Sequence, residues 1–177
     1  EMAFALEQRI FQFNVESLSE LRALNETALV KGTQAPVAIR VNPDVDAGTH
    51  EKINTGGKEN KFGILMDDAE AAYMLAASLP GIRVQGISAH IGSQLTSLAP
   101  FTSAFTKMRE FARHLQAKGL SIETVDLGGG LGIPYGREAP PLPDAYARAV
   151  REIFARTPYR LIFEPGRLIA GNAGVLV

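Results

Sequence analysis

Four short stretches carry the residue types that do chemistry: Ala89-His90-Ile91-Gly92-Ser93-Gln94, Asp126-Leu127-Gly128-Gly129-Gly130-Leu131-Gly132, Glu164-Pro165-Gly166-Arg167 and Arg40-Val41-Asn42-Pro43. Each has a bland reading beside a functional one. A single histidine at a strand end is more often a hydrogen-bonded structural residue than a catalytic one. Gly128-Gly129-Gly130 is either a tight turn or a surface on which backbone N–H groups meet a phosphate. It lacks the G-x-G-x-x-G spacing of a dinucleotide site, and no Gly-Lys-Ser/Thr follows it as in a nucleotide-phosphate loop. Glu164 and Arg167 form either a local ion pair or two arms of a site. Arg40 is harder to set aside, because a guanidinium on an apolar strand needs a partner in a low dielectric.

Other chemistries find less support. His50, His90 and His114 show no H-E-x-x-H or other close ligand spacing, so no metal site is expected. A Ser-His-Asp hydrolase would need a G-x-S-x-G elbow, which is absent. With no cysteine, the 177 residues hold neither a disulfide nor a thiolate site. The formal net charge of -1, with both signs interspersed, gives no reason to expect nucleic acid or an anionic membrane as partner. A composition 46% hydrophobic and 21% charged is that of a folded globular chain, and no apolar run approaches the ~20 residues of a membrane span. Glu1-Met2-Ala3-Phe4 reads as a helix interior rather than a signal peptide, and Gly174-Val175-Leu176-Val177 as a strand. Both ends are expected to be cuts within a longer protein.

These residues must be positioned by alternating strands and helices. Met2 to Gln8 has helical spacing and Phe11 to Val15 alternates with period two. Ser17-Leu18-Ser19-Glu20 is a capping box opening a helix through Leu29 that Gly32 ends. Val37 to Val41 is a near-continuous apolar run, as in a parallel strand buried on both faces. Pro43 to Gly63 reads as a long functional loop, and Asp67 as the cap of a helix through Ala77. Arg83–Ile91, Ile122–Leu127 and Arg160–Phe163 read as strands, Pro100–Lys118 and Asp144–Ala155 as helices. Repeated βαβ units suit an open doubly wound sheet or a barrel. Four polar clusters at four strand ends favour the barrel, where such ends converge on one face.

Taken in order, with Asn60-Lys61-Phe62-Gly63 ahead of them, H-I-G-S-Q, D-L-G-G-G-L-G-I-P-Y and E-P-G-R resemble the fold-type III pyridoxal-phosphate (PLP) amino-acid decarboxylases. Arg40-Val41-Asn42-Pro43-Asp44-Val45 and Thr55-Gly56-Gly57-Lys58-Glu59 are similar to that family too, so the likeness covers essentially the whole chain. It implies an α/β fold: a partial (β/α)8 TIM barrel of the alanine-racemase-like type over residues 1–177, without its first strand and without the family's C-terminal β-domain. It also implies PLP as cofactor and the removal of CO₂ from an amino acid. The wording is closest to the branch acting on meso-2,6-diaminopimelate. Ornithine, arginine and carboxynorspermidine remain as alternative substrates, and a non-enzymatic PLP-binding barrel or an unrelated phosphate-binding barrel as alternative classes.

The resemblance also implies roles. His90 would lie on one face of the pyridine ring. Ser93, Gly129, Gly130, Gly166 and Arg167 would hold the phosphate, Arg167 being a candidate for a substrate carboxylate as well, and Arg40 would support the pocket. Glu164 would face the ring nitrogen and favour its protonated form, a stronger electron sink that suits decarboxylation over racemisation. The family's covalent lysine lies at the end of its first barrel strand. No lysine here is expected at a strand end: Lys31, Lys107 and Lys118 fall on helices, and Lys52, Lys58 and Lys61 in the long loop. The chain alone is therefore expected neither to attach the cofactor covalently nor to turn over. For the full-length protein the resemblance implies a cytoplasmic homodimer.

Overall fold

Val37, Ala38, Ile39 and Val41 are each 1% exposed or less, as a strand covered on both faces requires. They form the centre of β2 (Ala35–Asn42) in a computed structural model that describes residues 1–45 and 62–174. Around β2 the chain lays down α1 (Met2–Glu7), β1 (Phe13–Val15), α2 (Leu18–Val30), β3 (Ile64–Leu65) and α3 (Met66–Ser78). There follow β4 (Ile82–Ser88), α4 (Ala99–Ala117), β5 (Thr124–Asp126), α5 (Pro143–Phe154), β6 (Arg160–Ile162) and α6 (Gly166–Ala170). None of the described helices is long and apolar enough to cross a membrane.

The sheet runs β1-β2-β4-β5-β6 with every pairing parallel, and the two-residue β3 pairs with β2 off that path. The main path keeps chain order throughout. A doubly wound sheet reverses its strand order at a switch point, and no reversal occurs here. Side-chain contacts add curvature. Asn14 on β1 donates from Nδ2 to Oδ2 of Asp126 on β5 at 2.8 Å, although β2 and β4 lie between those strands. Three strand spacings would separate them by about 14 Å on a flat sheet. The sheet therefore curls, and these residues meet on its concave side. This is the barrel wall that the strand-end clusters favoured.

The helices cover the convex side. Leu21, Leu24 and Ala28 of α2, Ala69, Ala72, Tyr73 and Ala76 of α3, and Phe101, Phe105, Met108 and Leu115 of α4 form one core with the strands. The Tyr73 hydroxyl reaches through to the sheet and donates to the carbonyl of Gly86 at 2.8 Å. It sits beside the irregularity in β2–β4 pairing between Val37 and Ala38.

Several boundaries differ from expectation. Met66 opens α3, so Asp67 lies in its first turn beside Asp68 rather than at the cap, where Leu65 stands with no side-chain bond. Both carboxylates still suit the positive end of the helix dipole. β4 stops at Ser88, short of Ile91, because the chain turns to place His90 at the rim, and Gly92 follows at φ 142°. The strand expected over Ile122–Leu127 is confined to Thr124–Asp126. Helix α6 follows directly after Glu164-Pro165 and was not expected. His50, Lys52, the Thr55–Glu59 loop, Asn60, Lys61 and the terminal Val175–Val177 lie outside the described residues.

Candidate active site

Consecutive parallel strands end on one side of the curled sheet, and each delivers a polar group there. Asn14 and Glu16 come from the end of β1, Arg40 from β2, Ser88 and His90 from β4, and Glu164 from beyond β6. With Phe62 they line an open cavity of about 470 Å³. Arg40 has the partner its burial demanded: Nη1 donates to Oε1 of Glu16 at 2.7 Å, and the guanidinium carbon lies 5.5 Å from the centre of the Phe62 ring. Its Nε is buried without a protein partner.

His90 accepts on Nδ1 from the backbone N–H of Gly129 at 3.3 Å, which leaves its proton on Nε2. Partial desolvation, then the Arg40 charge, push its pKa below the ordinary 6.5, against the pull of Asp126 and Glu16. The ring in this pocket is therefore neutral at neutral pH. Glu164 is shifted the other way. Desolvation and the adjacent Asp126 carboxylate, in hydrogen-bond contact, raise its pKa above 4.5, while Arg40 opposes them. Asp126 itself is buried, 2% exposed, and held by Asn14 and by the backbone N–H of Gly128 at 3.0 Å.

A second cluster stands beside this cavity, joined to it through the His90–Ser93 segment. Arg167 donates from Nε and Nη2 to Ser93 Oγ at 3.2 and 3.0 Å, and from Nη1 to the Tyr135 hydroxyl at 2.5 Å. Among the described residues no carboxylate lies within ion-pair distance of Arg167, so the local pair with Glu164 does not form. A guanidinium fixed by two hydroxyls and without a carboxylate partner among the described residues is a ready receptor for an anion.

The glycines divide into two kinds. A β-carbon on Gly128 would lie 2.4 Å from the Ala89 oxygen, on Gly129 2.2 Å from the Glu164 oxygen, and on Gly130 2.3 Å from the Gly92 oxygen. The turn is thus where the loops after β4, β5 and β6 touch, and glycine is needed for that contact alone. Gly166 differs, because a β-carbon there would meet nothing within 4 Å. The space beside it is open.

Of the eight residues expected to form the site, Arg40, His90 and Glu164 line the cavity, Gly129 and Gly130 form the turn that touches it, Ser93 and Arg167 form the neighbouring cluster, and Gly166 opens α6 just before Arg167. The sequence reading missed Asn14, Glu16 and Ser88, and gave Asp126 and Tyr135 no role. A signal for two of them was present: Gln12, Asn14 and Glu16 alternate with Phe11, Phe13 and Val15, a polar row on one face of a strand. Of the described lysines, none lines the cavity.

These features suit a planar, phosphate-bearing heterocycle: an anion receptor, a cavity with a neutral ring at its wall, and a carboxyl group facing the interior. Residues 1–171 match the family model "Pyridoxal-dependent decarboxylase, pyridoxal binding domain", and the chain belongs to that family. Among particular proteins, it is 52% identical to the diaminopimelate decarboxylase of Vibrio cholerae and 51% identical to that of Pseudomonas aeruginosa, in each case over 100% of this chain and 43% of the relative. The chain thus spans less than half the length of these curated relatives. The crystal structure of diaminopimelate decarboxylase from Helicobacter pylori complexed with L-lysine superposes with a TM-score of 0.88 at 36% identity, covering 94% of this chain and 42% of that one.

Proposed function

We propose that this chain is the cofactor-holding part of a PLP-dependent decarboxylase that converts meso-2,6-diaminopimelate to L-lysine and CO₂. The observation that carries the reading is the convergence of Glu164, His90 and the Ser93–Arg167 pair on one rim, in a chain about half identical to diaminopimelate decarboxylases.

Each group then has a task. Ser93 and Arg167 receive the phosphate, with the backbone of Gly129 and Gly130 beside them and Gly166 leaving the approach open. Arg167 is also placed to receive a substrate carboxylate. His90, uncharged and fixed through Nδ1, would offer a flat neutral surface to one face of the ring. Glu164, on the cavity wall, would hold the ring nitrogen and stabilise a proton there, since an opposite charge nearby favours the charged form. Arg40 holds Glu16 and offsets the two carboxyl groups of Glu164 and Asp126. Pyridoxal phosphate, when bound, supplies the electron sink for the carbanion left as CO₂ departs.

Two further parts of the reading rest on the family resemblance in sequence. The covalent lysine comes from outside this chain, and the full-length protein is a cytoplasmic homodimer. The test is a PLP titration followed by fluorescence, with borohydride reduction and mass spectrometry of the product. The 177 residues should bind PLP reversibly and yield no lysine adduct. Arg167→Ala should weaken binding by roughly ten- to a hundred-fold, as for loss of a charge-assisted bond worth about 1.5–3 kcal/mol. Unaltered affinity in that variant, or a reduced adduct on one of the chain's own lysines, would overturn the assignment.

A further inference from the structure

The buried carboxylate of Asp126 has no task in the scheme above, yet a chain of side-chain hydrogen bonds ends on it. Thr124 Oγ1 donates to Gln12 Oε1 at 2.6 Å, Gln12 Nε2 to Asn14 Oδ1 at 2.7 Å, and Asn14 Nδ2 to Asp126 Oδ2 at 2.8 Å. Every bond in this chain points the same way. Each amide spends its oxygen on the group behind it and its N–H on the group ahead. The last acceptor is Asp126, whose other oxygen takes the N–H of Gly128. Gly128 in turn accepts the backbone N–H of Glu164 at 2.9 Å, so the main chain of one residue bonds both the Asp126 carboxylate and the backbone of Glu164.

We propose that Asp126 is a positioning residue which, fixed by the Thr124–Gln12–Asn14 chain, keeps the proton shared by the two carboxyl groups on Glu164, facing the cavity. This rests on the PLP reading above. An ionised carboxylate only accepts hydrogen bonds, and Asp126 receives one on each oxygen. Among the described residues no hydrogen-bond donor meets the Glu164 side chain, which opens onto the cavity, so it is the member that carries the proton. Its surroundings agree: desolvation and then Asp126 raise its pKa. The other charged and titratable groups around it are Arg40 from β2, Glu16 paired with Arg40 after β1, and His90 after β4.

The consequence is a pocket that brings its own proton. As the cofactor seats, Glu164 gives that proton to the pyridine nitrogen: one O–H bond breaks, one N–H bond forms, and the carboxylate stays opposite the resulting cation. Nothing need be drawn from solvent. Without Asp126, Glu164 would ionise at lower pH and the ring would have to take its proton from water.

The test reads Glu164 directly, before any cofactor is added. Side-chain ¹³C NMR of glutamate-labelled protein, with the signal assigned by its loss in Glu164→Gln, should show Glu164 titrating above 4.5. In Asp126→Asn the midpoint should fall by about one pH unit or more, the size expected for removing a neighbouring like charge. Asn14→Ala keeps that charge but removes a donor, so the midpoint should fall by a smaller step. An unmoved midpoint in Asp126→Asn overturns the proposal. Should that variant fail to fold, an unmoved midpoint in Asn14→Ala overturns it instead. PLP affinity, measured separately by fluorescence, distinguishes the two layers. A chain that titrates as stated but does not bind PLP refutes the functional reading. One that binds PLP with an unmoved midpoint refutes only the role of Asp126.

Discussion

At Gly129 and Gly130 the backbone carbonyls of Glu164 and Gly92 occupy the space a β-carbon would need. Alanine at Gly129 should therefore destabilise the fold by about 1–3 kcal/mol through overpacking. Gly130→Ala should cost more, because its φ of 105° is also closed to a side chain. Gly166→Ala should leave thermal unfolding unchanged while weakening PLP binding. Comparing melting temperature with cofactor affinity across the three variants checks the division. It also bears on what was legible beforehand. The triple glycine offered itself as a turn or as a phosphate cradle, and the structure shows the turn reading to hold by itself; no phosphate is needed to explain Gly128–Gly130. A motif glycine that packing leaves unexplained is Gly166, 34 positions beyond Gly132 and easily passed over.

Local chemistry was legible wherever an element could be argued from its own residues. The Ser17 hydroxyl accepts from the N–H of Glu20 at 3.2 Å, as a capping box requires, though Glu20 reaches back to the N–H of Glu16 rather than of Ser17. Ser17→Ala should cost about 1 kcal/mol in chemical denaturation. The cost has reach, because α2 carries Leu21 and Leu24, both fully buried, against the sheet. The apolar run of β2 declared its burial in the same local way. Misreadings arose where a distant neighbour decides. Asp67 has the right chemistry for a cap, but pairing of Ile64 and Leu65 with Val41 and Asn42 leads into a helix that starts two residues earlier, at Met66. The polar row of β1 was visible, yet its partner lies 112 positions away on Asp126. No local pattern announces that distance.

For the whole molecule, curvature is what turns separate strand ends into a site, and it also leaves borders. Among the described residues β1 and β6 have a strand neighbour on one side only. Phe4, Val30, Leu142 and Ile169 are each at least 65% exposed. Unpaired strand edges and exposed apolar groups favour association. The isolated chain should show a concentration-dependent rise in mass by light scattering, and a monodisperse monomer at high concentration would contradict this. The link from Asn14 to Asp126 carries a consequence in time. At synthesis rates of roughly 5–20 residues per second, β1 waits on the order of 6–22 s for β5 to be made. Until then the amides of Gln12 and Asn14 have no acceptor to point toward, and the carboxyl pair does not exist. Each new molecule thus acquires its proton-bearing pocket late, after most of its sheet has been translated, and a ribosome-bound chain stalled before Thr124 should not yet hold the cofactor.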